Sequence, residues 1–259
     1  MQAVLAQVRR RLVAGLAIAV FSASATADVM TFVMDPFPPF TYAENGVAAG
    51  PMSDTIRAVC KLIKAQCRLE VYPWRRALKM AEDGLVDGLY AVANIPEREQ
   101  FFYVSPPIIE SAYGVFVHES STLVYRRPSD FAGYTVGAYG PSAASKALDG
   151  VAQSEPTLVT VTEVDNTTML RKLSNRRYGA HGAAVANVDV GKYLIRHEKI
   201  PALKVVGLIG KTEYSIGLSR KKVDPAQAEE FMTALRQLMK SGRVREITEH
   251  YGVVAAPSP

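Results

Sequence analysis

The constraint that most limits how this chain can fold lies in residues 73–107, PWRRALKMAEDGLVDGLYAVANIPEREQFFYVSPP, where the hydrophobic period changes abruptly. Trp74, Ala77, Leu78 and Ala81 recur at helical spacing and share one face, and Gly84 ends that pattern. Residues 85–93 then form an unbroken apolar run containing Gly88, as expected of a strand covered on both faces. Pro96 suits the first turn of a further helix, which places Asn94 and Arg98 where the C-terminal edge of a parallel sheet meets helix N-termini. In open α/β sheets that edge is where ligands bind.

The flanking chain extends the pattern. Residues 29–113 alternate strand, helix, strand, helix, strand, which predicts a parallel-sheet α/β lobe. A second alternating set follows. Strands are expected over residues 134–139, 157–162, 183–188, 203–209 and 214–218, with a helix over 166–173 carrying Met169, Leu170 and Leu173. Two helices close the chain; Phe231, Leu235, Leu238 and Met239 form the apolar stripe of the first, and Gly242 stops it.

The first 27 residues have the parts of a cleavable export signal: Arg9, Arg10 and Arg11, an apolar core over residues 12–21, and Ala25-Thr26-Ala27 as the cleavage site. Ten apolar residues fall well short of the ~20 that a membrane-spanning helix needs. No cysteine lies near the cut to take a lipid, so the expected compartment is the periplasm. Removing this leader takes three arginines and no acids from 30 basic and 25 acidic residues, leaving 27 against 25. The remaining basic clusters are short and lack interleaved aromatics, which argues against a nucleic-acid partner. In an oxidising compartment, Cys60 and Cys67 are expected to close a helix-to-strand corner as a disulfide, with two buried thiols as the alternative.

Taken together, PPF near the start, PW..A......G.VDG, PER......SPP, LSNRRYGA, YSIGLS and FMTALRQLMKSGRVREITEHYG resemble the extracellular solute-binding proteins of family 3, which serve polar amino-acid uptake. The likeness covers nearly all of the chain after its leader. It implies two Rossmann-like lobes joined by a two-stranded hinge, residues 28–115 plus 213–254 forming the first and 116–212 the second. Residues 255–259, small and Pro-rich, read as a disordered tail. The implied protein is a monomer that needs no cofactor and delivers its solute to an inner-membrane ABC permease.

The same resemblance gives roles to single residues. Arg98 would clamp a ligand carboxylate with its planar fork. Phe37 would stack on the ligand, and Trp74 either borders the cleft or packs in the core. Ser142 is either a donor to the carboxylate or a plain helix cap. The departures matter too. Ala91, Ala93, Asn94, Ile95 and Pro96 stand where hydroxyl side chains are usual, leaving Asn94 as the polar contact, and Gly179 stands where an Asp is common. Asn187 and Asp189 remain as partners for a ligand ammonium, with Asp189 alternatively a helix cap. Without either, a simple organic anion fits better than a zwitterion.

Periplasmic dehydratases of the arogenate type share this architecture, so catalysis is the first alternative, and presentation of the ligand to a sensor is the second. Nucleophile-elbow, P-loop and dinucleotide motifs are missing from the sequence, and His118, His181, His197 and His250 lack metal-ligand spacing.

Overall fold

The computed structural model describes residues 29–258, so the leader expected over residues 1–27 lies outside it. The chain opens with β1 (Val29–Met34), a hairpin of β2 (Tyr42–Glu44) and β3 (Val47–Ala49), then α1 (Pro51–Leu62), β4 (Gln66–Val71), α2 (Trp74–Glu82), β5 (Gly88–Ala93) and β6 (Phe102–Val104). Strand β1 pairs in parallel with β4 on one side and β5 on the other. Parallel neighbours need crossovers, which α1 and α2 supply.

After β7 (Ile109–His118) the pattern repeats with β8 (Thr135–Tyr139), α3 (Ala143–Ser154), β9 (Val159–Glu163), α4 (Asn166–Ser174), β10 (Gly182–Asn187) and α5 (Val188–His197). Strand β8 pairs in parallel with β9 and β10. The chain then runs back through β11 (Leu203–Ser219) and ends in α6 (Pro225–Lys240) and α7 (Arg243–His250). The order across the large sheet is β4-β1-β5-β11-β7-β10-β8-β9, with β6 also on β11. The result is a mixed α/β fold of two Rossmann-like lobes, with β7 and β11 as the antiparallel pair that joins them.

The core is divided in the same way. Phe32, Met52 and Ile56 pack with Phe231 and Leu235, so α6 and α7 lie against α1. Val115, Phe131, Val136, Leu148 and Val185 form a separate cluster in the other lobe. Cys60 and Cys67 are bridged, with their Cα atoms 6.2 Å apart, at the corner where α1 gives way to β4.

Several boundaries differ from the sequence reading. The strand expected over residues 85–93 begins at Gly88, because Leu85 turns outward, 69% exposed, and Asp87 bends inward to accept the Thr31 N–H at 2.8 Å. The helix expected at Pro96 is one 3-10 turn, Pro96–Arg98. The strands expected over 203–209 and 214–218 are one, since register shifts at Val205/Gly207 and Leu208/Gly210 keep β11 paired with β7 throughout. Val188 belongs to α5, because Asn187 ends the strand by capping that helix. Residues 255–258, read as disordered from composition, are held: Ala255 bridges Ile109, and the buried Ala256 donates its N–H to Ile108 O at 2.9 Å. Small side chains let this segment lie flat against the start of β7.

Candidate functional site

Strand ends and helix starts from both lobes converge on one cavity of about 60 Å³. From the first lobe, the end of β1 brings Asp35 and Phe37, α2 begins with Trp74, β5 supplies Ala91 and Ala93, and the turn after it brings Arg98. Facing them are Tyr139 at the end of β8, Ser142 to Ala144 at the start of α3, and Asn166 at the start of α4. Tyr113 and Tyr214, on the two joining strands, form the back wall with Tyr90 and Asn187. An outer compartment of about 230 Å³ adjoins it. Asp35, Trp74, Tyr139 and Asn166 line both compartments, and Asp165 lines the outer one.

Arg98 is the cavity's cation. Its side chain is 12% exposed, and its contact with Glu82 Oε1 on α2 is 3.5 Å, too long for a tight bidentate pair. The guanidinium lies over the Trp74 ring at 5.4 Å. Burial draws its pKa down while Glu82 and Glu97 oppose that shift, and an arginine in this setting stays charged.

Asp35 is the carboxylate in the same lining. Burial pushes its pKa up to about 7, offset by the N–H that Trp74 donates to Oδ1 at 3.1 Å. Phe37 packs edge-on against Tyr214, with ring centroids 5.4 Å apart, in a wall that also includes Phe40. Opposite it, burial and the Asp35 charge push the Tyr139 hydroxyl up to about 12.

Three bonds cross between the lobes and two more brace the joining strands. Trp74 Nε1 donates to Pro141 O at 2.9 Å, and Arg75 Nη2 donates to Gly140 O at 2.7 Å. Lys146 on α3 pairs with Glu97 beside Arg98 at 2.6 Å. Asn187 braces the joining strands, donating to Ser111 Oγ at 2.9 Å and to Tyr214 Oη at 3.0 Å.

Of the residues the sequence singled out, Arg98, Phe37, Trp74, Ser142 and Asn187 line this cavity. Asn94 and Asp189 do not. Asn94 is exposed and its N–H is spent on Glu213 O at 3.2 Å, since the turn at Pro96 carries it past the end of the sheet. Asp189 accepts the Ser111 hydroxyl at the base of α5. Ser142 reaches the wall with its donors committed: its hydroxyl donates to Tyr139 O at 2.6 Å, and its N–H donates to Ser145 Oγ at 3.0 Å. It is therefore the cap of α3. Asn187, 2% exposed, spends its carbonyl on the N–H groups of Asp189 and Val190 and its amide on Ser111 and Tyr214. All its groups are satisfied within the fold.

Asp35, Tyr139 and Asn166 were missed by the sequence reading, although two of them end strands of parallel sheets and the third starts a helix there. The rule that ligands gather at that edge, applied to every strand, finds them. Glu97 and Glu99 are exposed, Glu97 in its pair with Lys146, and neither lines the cavity. Among the described residues, no three His, Cys, Asp or Glu side chains gather where a metal could be held.

Solved structures share this architecture at low sequence identity. A histidine kinase sensor domain with similarity to periplasmic binding proteins superposes with a TM-score of 0.77 at 20% identity, covering 88% of this chain and 98% of that one. An ancestral arginine-binding protein bound to arginine gives 0.75 at 19% identity, covering 86% and 97%. The substrate binding protein of an amino acid ABC transporter gives 0.72 at 17% identity, covering 86% and 98%. No curated protein sequence matches the chain. The profile of one family spans residues 30–254, both lobes and the strands between them, and on that match the chain belongs to the bacterial extracellular solute-binding proteins, family 3.

Proposed function

We propose that this solute-binding protein works in the periplasm as a monomer, closes its two lobes on a small carboxylate-bearing solute, and delivers it to the permease of an ABC uptake system. The observation that carries the reading is Arg98: a mostly buried guanidinium lining the interlobe cavity, whose one carboxylate contact among the described residues is Glu82 at 3.5 Å. A buried cation without a tight partner favours an anionic ligand, and the planar fork suits a carboxylate. Family membership and the transporter-derived neighbour support the uptake role. The test is a thermal-shift panel of amino acids and organic acids on the ligand-stripped mature protein. A bound solute at ~100 times its dissociation constant should stabilise the fold by about 2.7 kcal/mol. Shifts from uncharged sugars alone would contradict the carboxylate reading.

Asp35 favours a second reading. A carboxyl poised near neutrality in the cleft is what general acid–base chemistry on a bound acid requires, as in a dehydratase-like enzyme. Incubating each panel hit with the protein and following it by NMR separates the two. Unchanged solute supports binding alone, and turnover lost in Asp35→Asn supports catalysis. The sensor-domain neighbour supports presentation to a sensor as the alternative destination of the same bound solute.

A further inference from the structure

Taking the carboxylate-binding reading of the cleft as its basis, we propose that the outer compartment is a second subsite, which holds an uncharged tail of the same solute. The class is an elongated monocarboxylate: its acid group lies at Arg98, a neutral hydrogen-bonding group such as an amide lies beside Asn166, and an alkyl or aryl tail lies beyond.

The two compartments are continuous and unequal. Asp35, Trp74, Tyr139 and Asn166 line both, so a molecule anchored at Arg98 in the inner one passes between these four residues to reach the outer one. The outer compartment, about 230 Å³, is almost four times the inner, about 60 Å³. Most of a solute that fills the cleft therefore lies beyond the inner cavity. At the junction Asp35 accepts the Trp74 N–H at 3.1 Å and has a second oxygen, to which an amide N–H can donate without bringing a charge.

The wall beyond the junction sets the chemistry of the tail. Its apolar side is Pro36, Pro38, Pro73, Val164, Val190 and Leu194. The proline rings fix φ, so that part of the wall is formed before a ligand arrives. Val190, 1% exposed, and Leu194 tie it to the core of the first lobe. Val164 is 73% exposed, and a tail laid against it removes apolar surface from water. The polar side is neutral where it is available. Asp165 spends one oxygen on the Thr168 N–H at 2.6 Å and the other on the Thr168 hydroxyl at 2.8 Å, so it caps α4. The Asn166 amide and the Thr167 hydroxyl, both half-buried, form no hydrogen bond among the described residues and remain for a neutral partner on the solute.

The experiment titrates the mature protein by calorimetry with N-acyl glycines from acetyl to octanoyl, and with the same chains ending in an ammonium. Wild type, Val164→Asp, Asn166→Ala and Arg98→Ala are compared, with folding checked by circular dichroism. The best longer chain should bind at least about 10-fold tighter than acetylglycine, and tighter than its ammonium-ended counterpart. Val164→Asp should cut that gain to about 3-fold or less while leaving acetylglycine within about 2-fold of its wild-type affinity. Asn166→Ala should weaken every acyl glycine but not the all-carbon acid of equal length. Affinity that is flat or falls with chain length, tighter binding of the ammonium-ended chains, or a gain that survives in Val164→Asp overturns the inference. It falls alone if acetylglycine binding is lost in Arg98→Ala, since the carboxylate reading then stands. If no acyl glycine binds, or if binding persists in Arg98→Ala, both fall.

Discussion

At the scale of single residues, the Asp35 carboxyl is shielded from water with the Trp74 N–H as its donor, and its proton is held up to about pH 7 in the folded chain against 3.8 ordinarily. Between those pH values the folded state holds a proton that the unfolded chain has lost, so stability contributed here falls as pH rises from about 4 to about 7. Asparagine keeps the acceptor and cannot ionise. Asp35→Asn should therefore gain on the wild type through that window, its ligand-free Tm advantage widening by roughly 2–4 °C for each kcal/mol. Thermal unfolding of both proteins from pH 4 to 8 checks this, and a constant gap would place the ionisation elsewhere. Asn187 makes a different prediction. Replacing it with alanine removes the α5 cap and the amide donor to the buried Tyr214 hydroxyl, so about 2 kcal/mol of stability should be lost in chemical denaturation. A loss below about 0.5 kcal/mol would mean that water replaces the amide. Nothing about this committed network was legible from the sequence. Asn187 and Asp189 stand two residues apart at a strand end, and which of them faces a ligand depends on where Ser111 and Tyr214 arrive from the joining strands.

At the scale of elements, periodicity located most of the strands and helices because burial on both faces leaves continuous apolar runs. It says nothing of backbone features inside an element. Strand β5 contains Ala91 in a left-handed conformation, φ 59°, opposite the register shift between Ser215 and Ile216 on β11. A residue with a Cβ is strained there, and a β-branched one more so. Ala91→Val should cost about 2 kcal/mol and lower solute affinity, because Ala91 also lines the cavity. If denaturant midpoints are unchanged, the bulge is soft. The corner between α1 and β4 was legible: two cysteines seven apart bridge once the helix ends between them. Replacing both with alanine should lose about 2–3 kcal/mol, as expected for so short a closed loop. Short pieces such as β2, β3 and β6 carry too few residues to show a period, and α5 was overlooked because its start is set by the Asn187 cap.

At the scale of the molecule, the two lobes meet through β7 and β11 and touch across the cleft at a few polar points. Arg75 and Lys146 bridge the lobes without lining the inner cavity. An Arg75→Ala, Lys146→Ala double variant should leave ligand-free stability almost unchanged and weaken solute binding by about 5- to 30-fold, the equivalent of 1–2 kcal/mol taken from the closed state. The two-lobed plan was readable from the order of elements and the family likeness. The charge arrangement of the cleft was half readable: Arg98 sits in a recognisable sequence context, whereas Asp35 becomes a cleft residue only when β1, α2 and β8 are brought to one edge. The central claim is that Arg98 clamps the carboxylate of the solute, and calorimetric titration of the best panel solute into wild type and Arg98→Ala tests it most directly. Affinity should fall by 100-fold or more, about 2.7 kcal/mol, with the far-ultraviolet circular dichroism spectrum unchanged. An affinity within about 3-fold of wild type would contradict it.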